Sequence, residues 1–324
     1  LAKCKKIVVV AGAGISVNSG IPDFRSAGGL YDMVKEKYPK SVAKGQDLFD
    51  ANFFQSPSNR PVFYRFMGLL KEMIDGAKPT KCHQLIKNLK DCGWLTRMYT
   101  QNIDCIEKMI GLECSLEQGN KNGNLVLLHG TMEYVRCTLC KHRATFDDSM
   151  IELYKNGNQI ECTLCLGKRE QRVQQGKRAT SVGVYRPDIV LYNEAHPNSH
   201  EISDLLSADL ARRPDALIVL GTSLKVVGIK KMVKCIASAV KDVSGPVIYI
   251  NKSNLTTLEW KRVFTHELVG CADYWAEVLQ REWIGSKRLI PTKIDQYFNV
   301  IRSPMTSNAK SSRKTQYKSD EEEE

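Results

Sequence analysis

Short apolar segments of strand length recur along this sequence, and segments with helical periodicity separate most of them. This alternation predicts an α/β fold with a doubly wound, mostly parallel sheet, because strands joined through helices pair in parallel. The predicted strands are Lys6–Ala11, Leu95–Thr100, Leu125–Leu128, Asp188–Tyr192, Ala216–Leu220, Val247–Ile250 and Glu267–Val269. The predicted helices are Pro61–Ile74, Thr80–Lys90, Ile103–Ile110, Ser199–Arg212, Val226–Val240 and Tyr274–Trp283.

Two segments interrupt the alternation and predict a second, smaller domain. Residues 48–93 are helical and rich in aromatic side chains, whereas residues 132–185 are polar and carry cysteines. The larger domain would then be assembled from residues 1–47, 94–131 and 186–284. Residues 303–324 lack apolar side chains that could pack, so we expect a disordered tail after a folded unit of residues 1–302.

The first predicted strand leads directly into Gly12-Ala13-Gly14, where small residues would let backbone N–H groups at a helix N-terminus approach a pyrophosphate. This is half of a Rossmann dinucleotide-binding motif. Val17 occupies the position of the expected third glycine, and no carboxylate ends a second strand about twenty residues later. A dehydrogenase is therefore disfavoured, and a tight strand-to-helix turn without a ligand stays open as an alternative.

Two later strands also end in residues suited to a nucleotide. Gly221, Thr222 and Ser223 follow one strand, and Asn251 follows the next. Open α/β sheets bind ligands beyond the carboxyl ends of their strands, so Ser223 could hydrogen-bond a phosphate and Asn251 the adenosine ribose hydroxyls. Taken separately, these are ordinary turn residues.

Two Cys-x-x-Cys pairs predict a metal site. Cys137 and Cys140 precede Cys162 and Cys165 with the spacing of a tetrahedral four-sulfur zinc site. Four protein ligands leave no position for a reactive water, so we expect one structural zinc ion. Ribbon-like modules of this type also bind nucleic acid, and a basic cluster without aromatic residues follows the second pair in what we predict to be a solvated loop.

The charge balance favours acidic partners. Residues 1–302 carry a formal charge of +12, although the chain ends in acidic residues, so chromatin or DNA contact is one interpretation and a solvated surface the other. The cysteine content is typical of a reducing, intracellular compartment. The longest apolar runs are far shorter than the ~20 residues of a membrane span, so no membrane partner is expected.

Taken together, the motifs resemble the sirtuin family of NAD-dependent protein deacetylases, in order and in spacing, over about Lys5 to Trp283. The resemblance covers both predicted domains and implies a Rossmann-like core with an inserted helical and zinc-binding domain. The motifs are Gly12–Ser16, Gly20–Ser26, Gly29–Tyr31, Thr100–Asp104, His129-Gly130, the two cysteine pairs, Gly221–Leu224 and Asn251.

The resemblance implies a reaction that consumes NAD as a co-substrate. The acetyl-lysine carbonyl oxygen attacks the ribose carbon that carries nicotinamide, and the products are nicotinamide, O-acetyl-ADP-ribose and free lysine. By the same resemblance His129 is the general base, a task that suits an imidazole titrating near neutrality. Asn102 is implied to position the nicotinamide ribose.

The resemblance also implies the remaining cofactor contacts. Gln101 would contact a ribose hydroxyl, and Ile103 and Asp104 the carboxamide. Asp23, Phe24 and Arg25 belong to a loop that closes over NAD, with Phe24 shielding the reactive carbon from water. The other implied cofactor-binding residues are Gly12, Ala13, Gly14, Tyr31, Gly221, Thr222, Ser223, Asn251 and Cys271.

Substrate peptides in this family add a strand between two loops, here Val190–Glu194 and Gly221–Gly228. The implied contacts are Val190, Leu191, Tyr192, Glu194, Leu224, Lys225 and Val226. The family commonly has Val-Phe-Phe-Gly-Glu where this chain has Val-Leu-Tyr-Asn-Glu. Asn193 and the Lys225–Lys231 segment are similar to the fungal nuclear branch that deacetylates histone H3, which implies a nuclear protein.

Two other functions stay open from the sequence. A protein mono-ADP-ribosyltransferase would share every NAD-binding residue. A catalytically idle chromatin-binding module would not need His129, Asn102 and Asp104, all of which are present.

Overall fold

The larger sheet is built from strands that are buried on both faces. A computed structural model describes residues 3–116, 120 and 122–284. The strands are β1 (Ile7–Ala11), β2 (Leu95–Thr100), β3 (Leu125–Leu127), β8 (Ala216–Leu220), β9 (Val247–Asn251) and β10 (His266–Val269). In this described part they pair in parallel in the order β10-β9-β8-β1-β2-β3, which confirms the predicted doubly wound sheet.

Helices cover both faces of this sheet. Alternate residues of β1 point to opposite sides, so Ile7 and Val9 join one core cluster while Val8 and Val10 join the other. The first cluster includes residues of α4 (Lys81–Asp91) and α11 (Ala272–Leu279), and the second includes residues of α8 (Ser199–Ala211), α9 (Val227–Asp242) and α10 (Leu258–Val263). Coverage on both sides explains the almost continuous apolar character of these strands.

The second sheet is smaller and antiparallel, with the order β5-β4-β7-β6. Its strands are β4 (Gly130–Cys137), β5 (Arg143–Thr145), β6 (Ile160–Glu161) and β7 (Val184–Ile189). The remaining helices are α1 (Leu30–Lys37), α2 (Ala51–Gln55), α3 (Arg60–Asp75), α5 (Ile106–Met109), α6 (Asp148–Lys155) and α7 (Thr163–Gln174).

A third core cluster joins the helical segment to the cysteine-bearing segment. It combines Phe63 and Met67 of α3 with Tyr154 of α6, and it also includes Cys137 and Cys162. Side chains of α1 belong to this same cluster. The predicted domain boundaries, including the one at residues 47 and 48, stay a proposal.

None of the described helices is long and apolar enough to cross a membrane.

The structure corrects several sequence-based predictions. Asp188–Tyr192 is not a strand of the large sheet. Only Asp188 and Ile189 are in a strand, at the end of β7, which pairs with β4 in the smaller sheet and whose alternating burial marks a strand covered on one face. The helix predicted at Ile103–Ile110 begins only at Ile106, after Cys105 in a left-handed conformation. The basic cluster after the second cysteine pair begins on helix α7 instead of a loop. The predicted tail, residues 303–324, lies outside the described residues.

Candidate functional site

The carboxyl ends of β1 and β8 meet at a contact between glycines. Gly14 N–H donates to the Gly221 carbonyl at 2.9 Å, and Gly12 N–H donates to the Leu220 carbonyl at 3.0 Å. A Cβ at Gly14 would lie 2.7 Å from Gly221 Cα, while Gly221 itself has φ +58°. This crevice is the switch point of the sheet, because the chain continues to β2 on one side and to β9 on the other.

The turn after β1 differs from the predicted helix N-terminus. Two short 3₁₀ turns, Ala13–Ile15 and Val17–Ser19, follow the strand. Within the described residues no α-helix starts directly after β1, so the backbone N–H groups expected at a helix N-terminus lie on these turns instead. The segment still presents Ser16, which is 1 % exposed, to the inside of the site.

Polar groups link the ends of four neighbouring strands. Gln101 Nε2 donates to the Ala11 carbonyl at 3.2 Å and to Thr222 Oγ1 at 2.8 Å. Tyr249 donates its hydroxyl to the Thr222 carbonyl at 3.0 Å, and Asn251 Nδ2 donates to the Tyr249 hydroxyl at 2.7 Å. The predicted residues Gln101, Thr222 and Asn251 are thus brought to one edge of the sheet, whereas the neighbouring Ser223 is exposed.

Asn102 and Asp104 converge on Ser16, a residue that the sequence reasoning did not select. Asn102 Nδ2 donates to Ser16 Oγ at 3.1 Å, and Ser16 Oγ donates to Asp104 Oδ2 at 2.7 Å. Asp104 Oδ1 accepts the Ile106 N–H at 3.0 Å. The two predicted site residues are therefore held by a single buried hydroxyl, and Ile103 lies buried between them in the chain.

Two carboxyl groups are buried at this position, Asp104 and Glu107, and both have raised pKa values. Burial raises the pKa of Asp104, although hydrogen bonds from Ile106 N–H and Ser16 oppose the shift. Glu107 is fully buried, so burial, with a further contribution from the Asp104 charge, raises its pKa to about 8, although the Thr100 side chain opposes the shift. At neutral pH Glu107 is therefore mostly protonated and adds little negative charge to the site.

His129 is oriented by the backbone of the neighbouring strand. Its Nδ1 lies 2.9 Å from the Gln101 carbonyl, which can only accept, so Nδ1 carries the proton and Nε2 is left as the basic nitrogen. Burial lowers the pKa of His129, and the nearby charges of His196 and Arg25 act in the same direction. The imidazole is therefore neutral at physiological pH and able to accept a proton.

The predicted cofactor loop is folded around Asp23. Its carboxylate accepts the N–H groups of Arg25 and Ser26 at 2.8 and 2.7 Å, and the Asp23 carbonyl accepts the Leu30 N–H at 2.8 Å. Phe24 packs edge-to-face with Phe49 at a centroid distance of 5.2 Å. The loop is thereby stabilised by its own hydrogen bonds and packs against the aromatic core of the smaller domain.

Tyr192 connects this cofactor loop to the predicted substrate loop. Arg25 Nη2 donates to the Tyr192 hydroxyl at 2.9 Å, and the Tyr31 hydroxyl lies 3.3 Å from the same oxygen. The Arg25 guanidinium also lies over the Tyr31 ring at 5.8 Å from its centroid. The phenylalanine common at the Tyr192 position in the sirtuin family has no hydroxyl for these contacts.

The substrate loop is held from both ends. Val190 N–H donates to the His129 carbonyl at 2.9 Å, and Tyr192 pairs with the segment between Phe49 and Ala51. Asn193 has φ +61°, which Asn tolerates better than most residues, and its Nδ2 donates to Asp50 Oδ2 at 2.6 Å. This conformation explains how Asn193 occupies a position that is commonly glycine.

The other predicted substrate residues differ in exposure. Glu194 binds Arg186 Nη2 at 2.6 Å and accepts the Leu191 N–H, so its carboxylate is used within the loop, while Leu191 itself is buried. In the second loop Leu224 is buried, Val226 is half-buried and Lys225 is exposed.

Cys271 lies at the N-terminus of α11, with its thiol exposed and 3.7 Å from Asn18 Nδ2. Asn18 also donates to Asp273 Oδ2 at 2.9 Å. These contacts join α11 to the turns that follow β1. The predicted cofactor-binding residue Cys271 is therefore placed beside the turns that follow β1.

The four predicted zinc ligands form one compact cluster. Their sulfur atoms all lie within 4.8 Å of one another, with Cys137 and Cys165 at 3.8 Å and Cys140 and Cys162 at 3.6 Å. Zn–S bonds of about 2.3 Å in a tetrahedron require sulfur separations of about 3.8 Å. The cluster therefore fits a zinc ion, and the N–H groups of Leu139 and Cys140 donate to Cys137 sulfur at 3.4 Å, as expected around a thiolate.

The crevice also fits a dinucleotide. Asn102 is 3 % exposed, yet its Oδ1 has no hydrogen-bond partner in the described part of the chain, so an acceptor is left for a ligand donor. The glycines at the crossing of β1 and β8 leave no room for side chains, so the two backbones approach each other closely at the switch point. Both features are typical of a site that takes NAD.

Comparison with known proteins agrees with this geometry. A family model described as the Sir2 family matches residues 12–228. The NAD-dependent histone deacetylase HST3 of Candida albicans is 43 % identical over 312 residues, covering 91 % of this chain and 64 % of that protein. HST3 of Saccharomyces cerevisiae is 36 % identical over 295 residues, covering 87 % of this chain and 66 % of that protein. The chain thus spans just under two thirds of the length of these relatives.

Solved structures share the fold. A Sir2 homologue in complex with NAD superposes with a TM-score of 0.66 at 24 % identity, covering 88 % of this chain and 91 % of that one. A Sir2 structure with a deacetylated p53 peptide and 3'-O-acetyl ADP-ribose gives a TM-score of 0.63 at 25 % identity, covering 86 % and 94 %. On the family match, the relatives and the shared fold, the chain belongs to the Sir2 family.

Proposed function

We propose that this chain is an NAD-dependent protein lysine deacetylase that acts on acetylated histone. The observation that carries the proposal is the geometry of His129, whose Nδ1 is fixed to the Gln101 carbonyl so that Nε2 is available as a base. Its lowered pKa keeps the imidazole neutral and ready to accept a proton at physiological pH. The names of the fungal relatives as histone deacetylases support the same function.

The residues around His129 have complementary tasks in this proposal. Bound NAD would supply the ADP-ribosyl group that accepts the acetyl group of the substrate lysine. Asn102 would hold the nicotinamide ribose through its Oδ1, which has no partner among the described residues, with Ser16 fixing the amide. Asp104 would accept from the carboxamide, and Phe24 would exclude water from the reacting carbon.

The substrate would lie along the Val190–Glu194 loop and residues 224–226. Main-chain groups recognise extended peptides by adding a strand, which needs no particular side-chain charge. Histone H3 is the proposed substrate, because Asn193 and the lysine-rich segment after Leu224 resemble the fungal nuclear branch. A nuclear location and contact with chromatin DNA belong to the same proposal, while the four cysteines would hold a zinc ion that only stabilises the fold.

The deciding test is an assay of an acetylated H3 peptide with NAD, read by mass spectrometry and by nicotinamide release. The proposal expects deacetylated peptide only when NAD is present, with nicotinamide released in equal amount. His129→Ala should abolish deacetylation while NAD binding, measured by calorimetry, persists. Transfer of ADP-ribose onto protein without deacetylation would instead support a mono-ADP-ribosyltransferase, and no turnover with intact chromatin binding would support an idle module.

A further inference from the structure

Helix α7 continues well beyond the core that anchors it. Of its 12 residues only Cys165 is buried, and all residues from Gly167 to Ser181 are exposed. Short helices in water gain most of their stability from packing an apolar face. This part of α7 and the segment after it, residues 167–181, therefore form an arm that has no packing partner within the described residues.

The arm concentrates positive charge. It carries five basic residues and a single acidic one, Glu170. The basic residues are Lys168, Arg169, Arg172, Lys177 and Arg178. Lys168 and Arg172 are four positions apart and Arg169 and Arg172 three, so they are neighbours about 6 Å apart on the helix surface.

These cations differ from three arginines of the same domain, which form ion pairs. Arg136 and Arg143 both bind Asp188, and Arg186 binds Glu194, so their charges are neutralised inside the fold. None of the five arm cations forms an ion pair with any described carboxylate. Arg172 donates only to the Arg178 carbonyl, and Lys177 only to the Gln175 side chain. Among the described residues this charge therefore has no acidic counterpart.

The composition of the arm favours one class of partner. Proteins that hold single-stranded nucleic acid stack bases on aromatic side chains, and residues 167–181 contain none. Duplex backbone needs only exposed Lys and Arg that replace condensed counterions at the phosphates. The positive charge of the arm therefore favours binding to double-stranded DNA without sequence preference.

We propose that residues 167–181 form a duplex-DNA contact arm on the zinc-binding domain. The inference deepens the proposed histone deacetylase function, because such an arm would hold the enzyme on chromatin while the peptide enters a separate site. Binding of DNA requires neither NAD nor His129. The arm would thus raise activity on nucleosomes without changing activity on free peptide.

The test compares the full chain with two triple variants by fluorescence anisotropy on a labelled 25-base-pair duplex at 50 to 200 mM salt. The arm variant carries Lys168→Gln, Arg169→Gln and Arg172→Gln, which keep helix propensity. The control variant carries Lys35→Gln, Lys37→Gln and Lys40→Gln, which remove equal charge from another exposed surface. Zinc content and thermal unfolding should match wild type in both.

We expect the arm variant to bind DNA about tenfold or more weakly at 50 mM salt and to lose about three units of log-log salt slope, whereas the control stays within about twofold. Equal losses in both variants, or no loss in the arm variant, would overturn the proposal. The proposal would also be overturned if the wild-type protein did not bind DNA but bound an isolated H2A–H2B dimer through the arm. Deacetylation of free peptide is measured in parallel and tests the proposed function alone. If the protein does not deacetylate the peptide, the result of the DNA-binding assay still stands.

Discussion

Replacing Ser16 by alanine tests whether one buried hydroxyl organises the site. Ser16 Oγ donates to the Asp104 carboxylate at 2.7 Å and accepts from Asn102 at 3.1 Å. A hydrogen bond to a charged group contributes about 1.5 to 3 kcal/mol and a neutral one about 0.5 to 1.5 kcal/mol. Together the two bonds contribute about 2 to 4 kcal/mol. If this stabilisation is lost from the transition state, kcat/KM decreases by ~30-fold to several-hundredfold.

The assay measures kcat/KM for NAD at saturating acetyl-peptide, together with the unfolding temperature of the variant. Ser19→Ala is the matched control, because Ser19 lies in the next turn and donates only to the Lys78 carbonyl. We expect Ser16→Ala to lose activity and the control to retain it. The reasoning is refuted if Ser16→Ala stays within about threefold of wild type while Asn102→Ala is inactive, since Asn102 would then be positioned without Ser16.

Four further predictions follow from other contacts. Cys137→Ser should release zinc, measured by atomic absorption, and lower the unfolding temperature, because metal-binding energy here is folding energy and the cysteine belongs to a core cluster; a metal-loaded, equally stable variant would contradict this. Tyr192→Phe should raise the KM for NAD several-fold with little change in kcat, because it removes the hydroxyl that accepts from Arg25; an unchanged KM would contradict the link. Glu107→Gln should raise the unfolding temperature more at pH 8 than at pH 5. The folded-state pKa of Glu107 is raised above its unfolded value, so the wild type loses stability as pH rises between the two; equal gains at both pH values would contradict the assignment. The acidic limb of the kcat/KM profile should have its midpoint below pH 6.5, because burial lowers the pKa of His129; a midpoint above that value would exclude His129 as the base.

The parallel sheet could be predicted from the sequence because most of its strands are short apolar segments that alternate with segments of helical periodicity. Leu95–Thr100 and Ala216–Leu220 have the same bounds in the structure as in the prediction. The zinc cluster was also predictable, since the Cys-x-x-Cys spacing fixes each pair locally and only the meeting of the two pairs depends on the fold. In both cases the signal lies within a few consecutive residues.

The parts that sequence reasoning missed depend on contacts between distant residues. The predicted strand Asp188–Tyr192 was assigned to the wrong sheet because its end in β7 pairs with β4, which lies far from it along the chain. Ser16 becomes a site residue only because the fold brings Asn102 and Asp104 to it from 86 and 88 positions away. The close packing of Gly14 against Gly221 joins residues that lie far apart along the chain.

The destination of the acetyl group tests whether the chain is an NAD-dependent deacetylase. A histone H3 peptide carrying a ¹³C-labelled acetyl-lysine is incubated with NAD and the full chain, and all small-molecule products are identified by mass spectrometry. We expect labelled O-acetyl-ADP-ribose in amounts equal to nicotinamide and deacetylated peptide, with none formed by His129→Ala. Labelled free acetate without nicotinamide release, or ADP-ribose attached to protein with the acetyl group still on lysine, would contradict it.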